Sequence, residues 1–191
     1  MMIRYSKGGY FMTAQKTSTA RFSGSDAVKR LTLTAILTGM NIALSSFGIP
    51  VPGGHLYLND VIIVAAALIL NPADAFIVGG VGAFLGDLFF YPTPMFVSLV
   101  THGLQAVAIS LISRKIKTEK PITAGSIAAF VGALINVVGY TIGRAYIYAT
   151  PSAAMLKLPF QFLQAGVGAV AGVLLVYRFG LYEQAEKLLH R

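Results

Sequence analysis

The sequence predicts an all-α membrane protein, a bundle of six transmembrane helices with both termini in the cytoplasm. Three observations lead there. The chain is 55% hydrophobic and only 12% charged, with a mean hydropathy of +0.71, whereas a soluble domain is about 25% charged. Thirteen of its 15 Lys and Arg residues fall in three polar segments: residues 1–30, the connector Ser113–Pro121 and the tail after Tyr177. Residues 31–113 hold no Lys or Arg at all. Cytoplasmic segments gather Lys and Arg because carrying them across a bilayer is costly. All three clusters can therefore lie inside only if an even number of helices separates each pair.

The elements follow from a bilayer core that takes about 20 apolar residues per helix. Residues 1–27 read as a polar cytoplasmic segment without the apolar core of a signal peptide. Met12 is an alternative start, with residues 1–11 a leader or extension. The first span runs from Val28 to Phe47. Gly48 to Tyr57 is rich in Gly and Pro, which marks a loop, and it ends at Leu58. The second span, Asp60–Leu70, is short. Asn71-Pro72 breaks the helix, and Pro suits the first turn of the next one. The third span, Ala73–Phe90, closes at Tyr91-Pro-Thr-Pro94. The fourth runs from Met95 to Ile112 and meets the basic connector. The fifth covers Ile122–Tyr148, and after Thr150-Pro151 the sixth extends from Ala153 to Phe179. The six helices make one transmembrane domain, residues 28–180, followed by a cytoplasmic tail, residues 181–191. The connections at 48–58, 91–94 and 149–152 then lie outside.

Polar residues within the spans gather in their outer halves. Asp87 lies one turn from Tyr91 on the third helix, and His102 and Gln105 follow on the fourth. Asn136, Tyr140 and Arg144 recur every four residues on the fifth and share one face. Lys157, Gln161 and Gln164 do the same on the sixth. Ionisable groups inside a membrane are costly, face the bundle interior and pair. One reading is a structural Asp87–Arg144 ion pair, with Lys157 snorkelling to the interface. The other is a polar pocket open to the outside, because four helices contribute at similar depth. The loop Pro50-Val-Pro-Gly-Gly-His55 would cover that pocket as a lid, with His55 at its end. The chain has no Trp, so ring stacking in such a pocket falls to Tyr91, Tyr140 and Tyr148. Asn59 and Asp60 read most simply as caps of the second helix, and Asp74 as a complement to the third helix's dipole.

Ala35, Gly39 and Ala43 on the first helix and Ala75, Gly79 and Ala83 on the third each form a stripe of small residues. Such stripes let another helix approach closely, either inside the bundle or in a partner. Gly80, Gly82 and Gly86 lack the spacing and the preceding strand of a dinucleotide fingerprint and read as packing glycines.

Absences narrow the class. Without cysteine there is no disulfide, Cys-based zinc site or thiol nucleophile. No GxxxxGK[ST] loop, HExxH or GxSG-type serine motif is present. The chain therefore reads as a non-enzyme without cofactor or metal. A pI near 9.8 would suggest nucleic acid for a soluble protein, but charges set beside apolar spans fit orientation and anionic lipid.

The stretch Gly53-Gly-His-Leu-Tyr-Leu-Asn-Asp60, then Asn71-Pro-Ala-Asp-Ala75, then Gly79-Gly-Val-Gly-Ala-Phe-Leu-Gly-Asp87, continuing through Tyr91-Pro-Thr-Pro94, resembles the substrate-binding (S) components of energy-coupling factor (ECF) vitamin transporters. The likeness covers about residues 30–115 in detail and the remainder by topology. It is nearest to the branch of riboflavin, pyridoxine-related and hydroxymethylpyrimidine carriers. The resemblance implies six helices, a small water-soluble vitamin held near the outer face under the first outer loop, and no ATPase of its own. It also implies docking of the two small-residue stripes on a transmembrane coupling protein that joins two cytoplasmic ATPases, with Gly39 and Gly79 where Ala is usual. The expected function is vitamin capture at a bacterial plasma membrane, for a pyridoxine-type or hydroxymethylpyrimidine substrate first. Arg144 and Lys157 keep pantothenate and folate open, and riboflavin follows from the branch. A proton-coupled carrier using Asp87 and His102 is the alternative of another class, and a six-helix membrane enzyme a third.

Overall fold

The computed structural model describes residues 24–116, 118 and 120–189. The expected leader, the Met12 start and most of the N-terminal basic segment lie outside these residues, as do Lys117 and Arg191. Helix α1 is Gly24–Ser45. A short hairpin follows, β1 Ile49–Val51 and β2 Gly54–Leu56, where the sequence predicted a loop. Then come α2 Asp60–Ile69, α3 Pro72–Phe90 and α4 Met95–Lys115. The chain continues with α5 Pro121–Tyr148 and α6 Pro151–Tyr177. A further helix, α7 Leu181–Leu189, occupies the expected polar tail. Among the described residues a helix lies over each of the six predicted spans, with a seventh after them, which departs from the expected count of six. Four of them, α3 to α6, are long and apolar enough to cross a membrane.

The two that fall short do so for different reasons. α1 carries Asp26, Lys29 and Arg30 in its first two turns. α2 has only 10 residues, about 15 Å of helix against a hydrocarbon core of about 30 Å. Yet α2 is the most buried element. Asp60 and every residue from Ile62 to Leu68 are buried, with α1, α4 and α6 packed around them. A helix apolar on all sides belongs in the middle of a bundle. Its last carbonyls are closed off from α4: Arg114 Nη2 donates to Leu70 O at 2.6 Å and Ile69 O at 3.2 Å, and Ser110 Oγ to Leu70 O at 2.8 Å. Asn71 caps α3 by accepting from the Ala73 and Asp74 amides, and Asp74 pairs with Arg30 at 3.1 Å.

Glycines set how closely α3 lies on its neighbours. A Cβ at Gly79 would stand 2.8 Å from His102 O, and one at Gly80 2.9 Å from Leu99 O, both on α4. On the side facing α1, a Cβ at Gly82 would meet Asn41 and one at Gly86 would meet Ser45. Gly80, Gly82 and Gly86 are packing glycines, as the sequence indicated. The docking role expected for Ala75, Gly79 and Ala83 is corrected by the same geometry: all three are buried inside the bundle. At Gly79 the stripe is closed by α4 and α2, where a Cβ would stand 2.8 Å from Ala106 Cβ and 3.2 Å from Ile63 Cγ2. Ala35, Gly39 and Ala43 lie exposed on α1.

The two stripes therefore separate on substitution. Gly79→Leu overpacks a closed helix contact and is expected to cost about 1–3 kcal/mol or more. Gly39→Leu meets nothing within 4 Å of its Cβ and should leave stability unchanged. Thermal unfolding of the detergent-solubilised variants checks this, and equal melting of Gly79→Leu and the parent would contradict the packing described.

Candidate functional site

Because α2 begins at Asp60 in the middle of the bundle, the half of the bundle beyond it has no central helix. The hairpin closes that space from above. Pro52 and Gly53 make its turn, with Gly53 at a φ of 80° as the third position of a type II turn requires. Gly54, at a φ of 148°, lies against the Arg144 guanidinium, and a Cβ there would stand 2.9 Å from Nη1.

Two cations hold the hairpin down. Arg144 donates through Nη1 to Gly53 O, and Lys157 Nζ donates to His55 O at 2.7 Å. Among the described residues no Asp87–Arg144 ion pair forms, which corrects that expectation. The Arg144 guanidinium also lies over the Tyr148 ring, 5.3 Å from its centroid. Lys157 does not snorkel: it is 2% exposed and turned inward to the hairpin.

Below the hairpin is a small cavity of about 40 Å³. From the sequence-predicted set, His55, Asp87, Tyr91, His102, Tyr140, Arg144, Tyr148, Gln161 and Gln164 line it. Asn136 and Lys157 do not. Asn136 sits beneath the floor, and Lys157 stands behind the hairpin. Ser45, Gly54, Tyr57, Asn59 and Ala83 also line the wall, so Ala83 serves the cavity rather than a partner.

The walls are aromatic. His55 meets Tyr91 edge-on at 5.7 Å, and His102 meets Tyr140 edge-on at 5.2 Å. Ser98 Oγ donates to Asp87 Oδ2 and is also hydrogen-bonded to the Tyr140 hydroxyl. Tyr57 anchors the segment after the hairpin by donating its amide to Gln164 Oε1 at 3.2 Å. Burial foremost, then the neighbouring Asp87 charge, pushes the Tyr57 hydroxyl up to about 12, so it remains protonated at neutral pH.

The floor is a buried polar network centred on Asp60, which is 1% exposed. Its carboxylate accepts from Gln105, Asn136 and Gln164 at 3.2, 3.0 and 2.8 Å, and His102 Nδ1 stands 3.6 Å away. Asn59 makes no side-chain cap of α2; it donates to Asn41 Oδ1 at 3.1 Å and Ser45 Oγ at 3.3 Å. The capping role expected for this pair is thus corrected. Sequence reasoning missed Asp60 because it sits at the edge of an apolar run. The signal was present: an intramembrane carboxylate is functional by default, but its depth depends on where α2 starts. Three buried polar atoms have no hydrogen-bond partner among the described residues, His55 Nδ1, Asn59 Oδ1 and Tyr148 OH. All three belong to residues of this cavity wall. Buried polar groups are almost always satisfied, so three on one wall make this cavity the candidate binding site.

Comparison with known proteins gives a consistent picture. A family model described as "ECF-type riboflavin transporter, S component" matches residues 25–180. A Pyrococcus woesei protein described as "Uncharacterized protein in gap 3'region" is 30% identical over 126 residues, covering 65% of this chain and 82% of that protein. The thiamine precursor transporter HmpT of Lactococcus lactis subsp. cremoris (strain MG1363) is 39% identical over 93 residues. That alignment takes in 46% of this chain and 56% of the relative.

The cation–carbonyl contacts give a direct test of what holds the hairpin. A hydrogen bond to a charged group contributes about 1.5–3 kcal/mol, so Lys157→Met should speed local opening by about 10- to 100-fold. Amide hydrogen exchange at residues 49–57 reads this. Unchanged exchange there would mean that Lys157 does not secure the hairpin.

Proposed function

The chain belongs to the family of ECF-type riboflavin transporter S components, and on that premise we propose that it captures a hydroxymethylpyrimidine-type thiamine precursor. It is a vitamin-transport protein with membrane-spanning helices and not an enzyme. S components bind a small vitamin and work with a transmembrane coupling protein and ATPases. In this reading the hairpin end faces outside a bacterial plasma membrane, and the exposed Ala35, Gly39 and Ala43 face of α1 meets the coupling protein.

The observation that carries the ligand site is the convergence of His55 Nδ1, Asn59 Oδ1 and Tyr148 OH, buried and unpartnered, on one cavity. Its volume of about 40 Å³ is small against the roughly 300–1,000 Å³ of a small-molecule pocket, so in this reading the hairpin rises for a heterocycle to enter. Tyr57, Tyr91, Tyr140 and Tyr148 then offer ring faces, and the polar floor offers hydrogen bonds. Two observations favour a neutral pyrimidine over pantothenate or folate. Arg144 and Lys157 each donate to a hairpin carbonyl, so in the closed state both cations are engaged in holding the hairpin. The similarity to a thiamine precursor transporter points the same way, and the pyridoxine-type substrate has no such relative behind it.

Capture runs through the same groups. The ligand replaces the missing partners of the three orphaned atoms, the hairpin returns, and Arg144 and Lys157 re-engage its carbonyls. Each buried hydrogen bond left unmade costs about 1–3 kcal/mol, which makes the closed, occupied state the satisfied one.

Isothermal titration of the purified protein with 4-amino-5-hydroxymethyl-2-methylpyrimidine should show saturable binding that Asn59→Leu weakens by about 1–3 kcal/mol. Absence of binding, with riboflavin or pantothenate bound instead, would overturn the substrate. Cysteine labelling tests the orientation. In intact cells an impermeant reagent should reach Ser152→Cys and not Ser113→Cys, and the reverse pattern would sink the topology.

A further inference from the structure

The amides around the cavity are each held in one orientation, and the holding begins at atoms that can only accept a hydrogen bond. The first anchor is the Asp60 carboxylate. It takes Nε2 of Gln105, Nδ2 of Asn136 and Nε2 of Gln164 at 3.2, 3.0 and 2.8 Å. Each of these amides must turn its carbonyl oxygen away from Asp60. Asn136 Oδ1 accepts from Gln161 Nε2 at 2.6 Å, so Gln161, a residue of the cavity wall, turns Oε1 away from the network. Gln105 Oε1 accepts from Asn136 Nδ2 at 3.1 Å and lies 2.8 Å from His102 Nδ1. That places a ring proton on Nδ1.

The second anchor is a main-chain carbonyl. Val78 O, inside the π turn of α3, takes Asn41 Nδ2 at 2.6 Å. Asn41 Oδ1 then takes Asn59 Nδ2 at 3.1 Å. Asn59 is left with Oδ1 buried, unpartnered and on the cavity wall. Reversing any amide in either chain would set donor against donor or oxygen against oxygen at its neighbour. Neither chain can turn over without breaking at its anchor.

Both chains therefore end in acceptors at the cavity, and Asp87 adds a carboxylate beside them. Resting on the S-component reading above, we propose that the site recognises its ligand as a hydrogen-bond donor. The ligand class is a neutral or cationic heterocycle with an exocyclic amino group, chosen over its oxo counterpart. Asp60, which does not touch the ligand, is the positioning residue that sets this polarity. A ring edge of carbonyl oxygens, or a carboxylate, would bring oxygen against oxygen at Asn59 Oδ1. Sites built to pair with a ligand donor reject analogues that lack it by large factors, because their own buried groups go unpaired.

Isothermal titration of the full chain with 4-amino-5-hydroxymethyl-2-methylpyrimidine and its 4-oxo counterpart tests this. The amino form should bind at least about tenfold more tightly. In Asp60→Asn the anchor can donate as well as accept, so the preference should fall toward parity while a cooperative thermal transition persists. If Asp60→Asn does not fold, Gln161→Met removes the last amide of the chain, its free oxygen together with the donor to Asn136 Oδ1, and should weaken the amino form more than the oxo form. Oxo binding within tenfold of the amino form, or tighter, overturns the inference alone, as does an undiminished preference in the variants. Binding of neither pyrimidine overturns the substrate reading and the inference together.

Discussion

The carboxylate of Asp60 is the constraint around which the bundle is organised. A charge this deep is tolerated only when every lone pair finds a donor, and Asp60 draws its donors from three helices: Gln105 on α4, Asn136 on α5 and Gln164 on α6. Its position at the first turn of α2 adds the favourable end of the helix dipole. Since α2 is 10 residues long, that first turn lies inside the bundle rather than at its surface. Shortness of the central helix and the buried acid are thus one feature, and together they leave a space that the polar side chains and the hairpin fill.

Closure over that space uses cations in an unusual way. Arg144 and Lys157 would ordinarily seek carboxylates, yet both donate to main-chain carbonyls of the hairpin. A cation–carbonyl bond holds a backbone without desolvating a second charge, so it can break and re-form at modest cost. The positive φ of Gly53 and the absent Cβ of Gly54 bring the carbonyls into reach. The hairpin is secured at its turn and at His55, while β1 remains on the outer side with Ile49 exposed.

Two π turns serve the site. The one in α3 presents Val78 O to Asn41, and through it fixes Asn59. The one that ends α5 carries Arg144 and Tyr148 to the rim. Such turns are often found at functional positions, and here each has a specific consequence for a cavity side chain. The glycines of α3 do complementary work, drawing α4 close on one side and α1 on the other. That packing encloses the α3 stripe, whereas Ala35, Gly39 and Ala43 of α1 are exposed.

How much of this was legible in the sequence differs by element. Composition and the placing of Lys and Arg determined the membrane class, and hydropathy with Pro and Gly breaks placed the ends of α2 to α6 closely. Of the four-residue recurrences, Tyr140, Arg144, Gln161 and Gln164 line one cavity, while Asn136 and Lys157 do not. Such recurrences and breaks are local properties, since period and composition act within a single helix. Tertiary structure alone decided which polar groups meet. Asp60 and Asn59 read as caps because capping is the local use of such residues, and only the burial of the α2 start turned them into the floor of a cavity. Asp87 and Arg144 read as partners because their charges are opposite, but the hairpin carbonyl lies nearer to Arg144 than any carboxylate does. Ala75, Gly79 and Ala83 matched Ala35, Gly39 and Ala43 letter for letter, and the direction each stripe faces followed from packing between helices. A sequence pattern marks a face of a helix; what that face meets is set by the other helices.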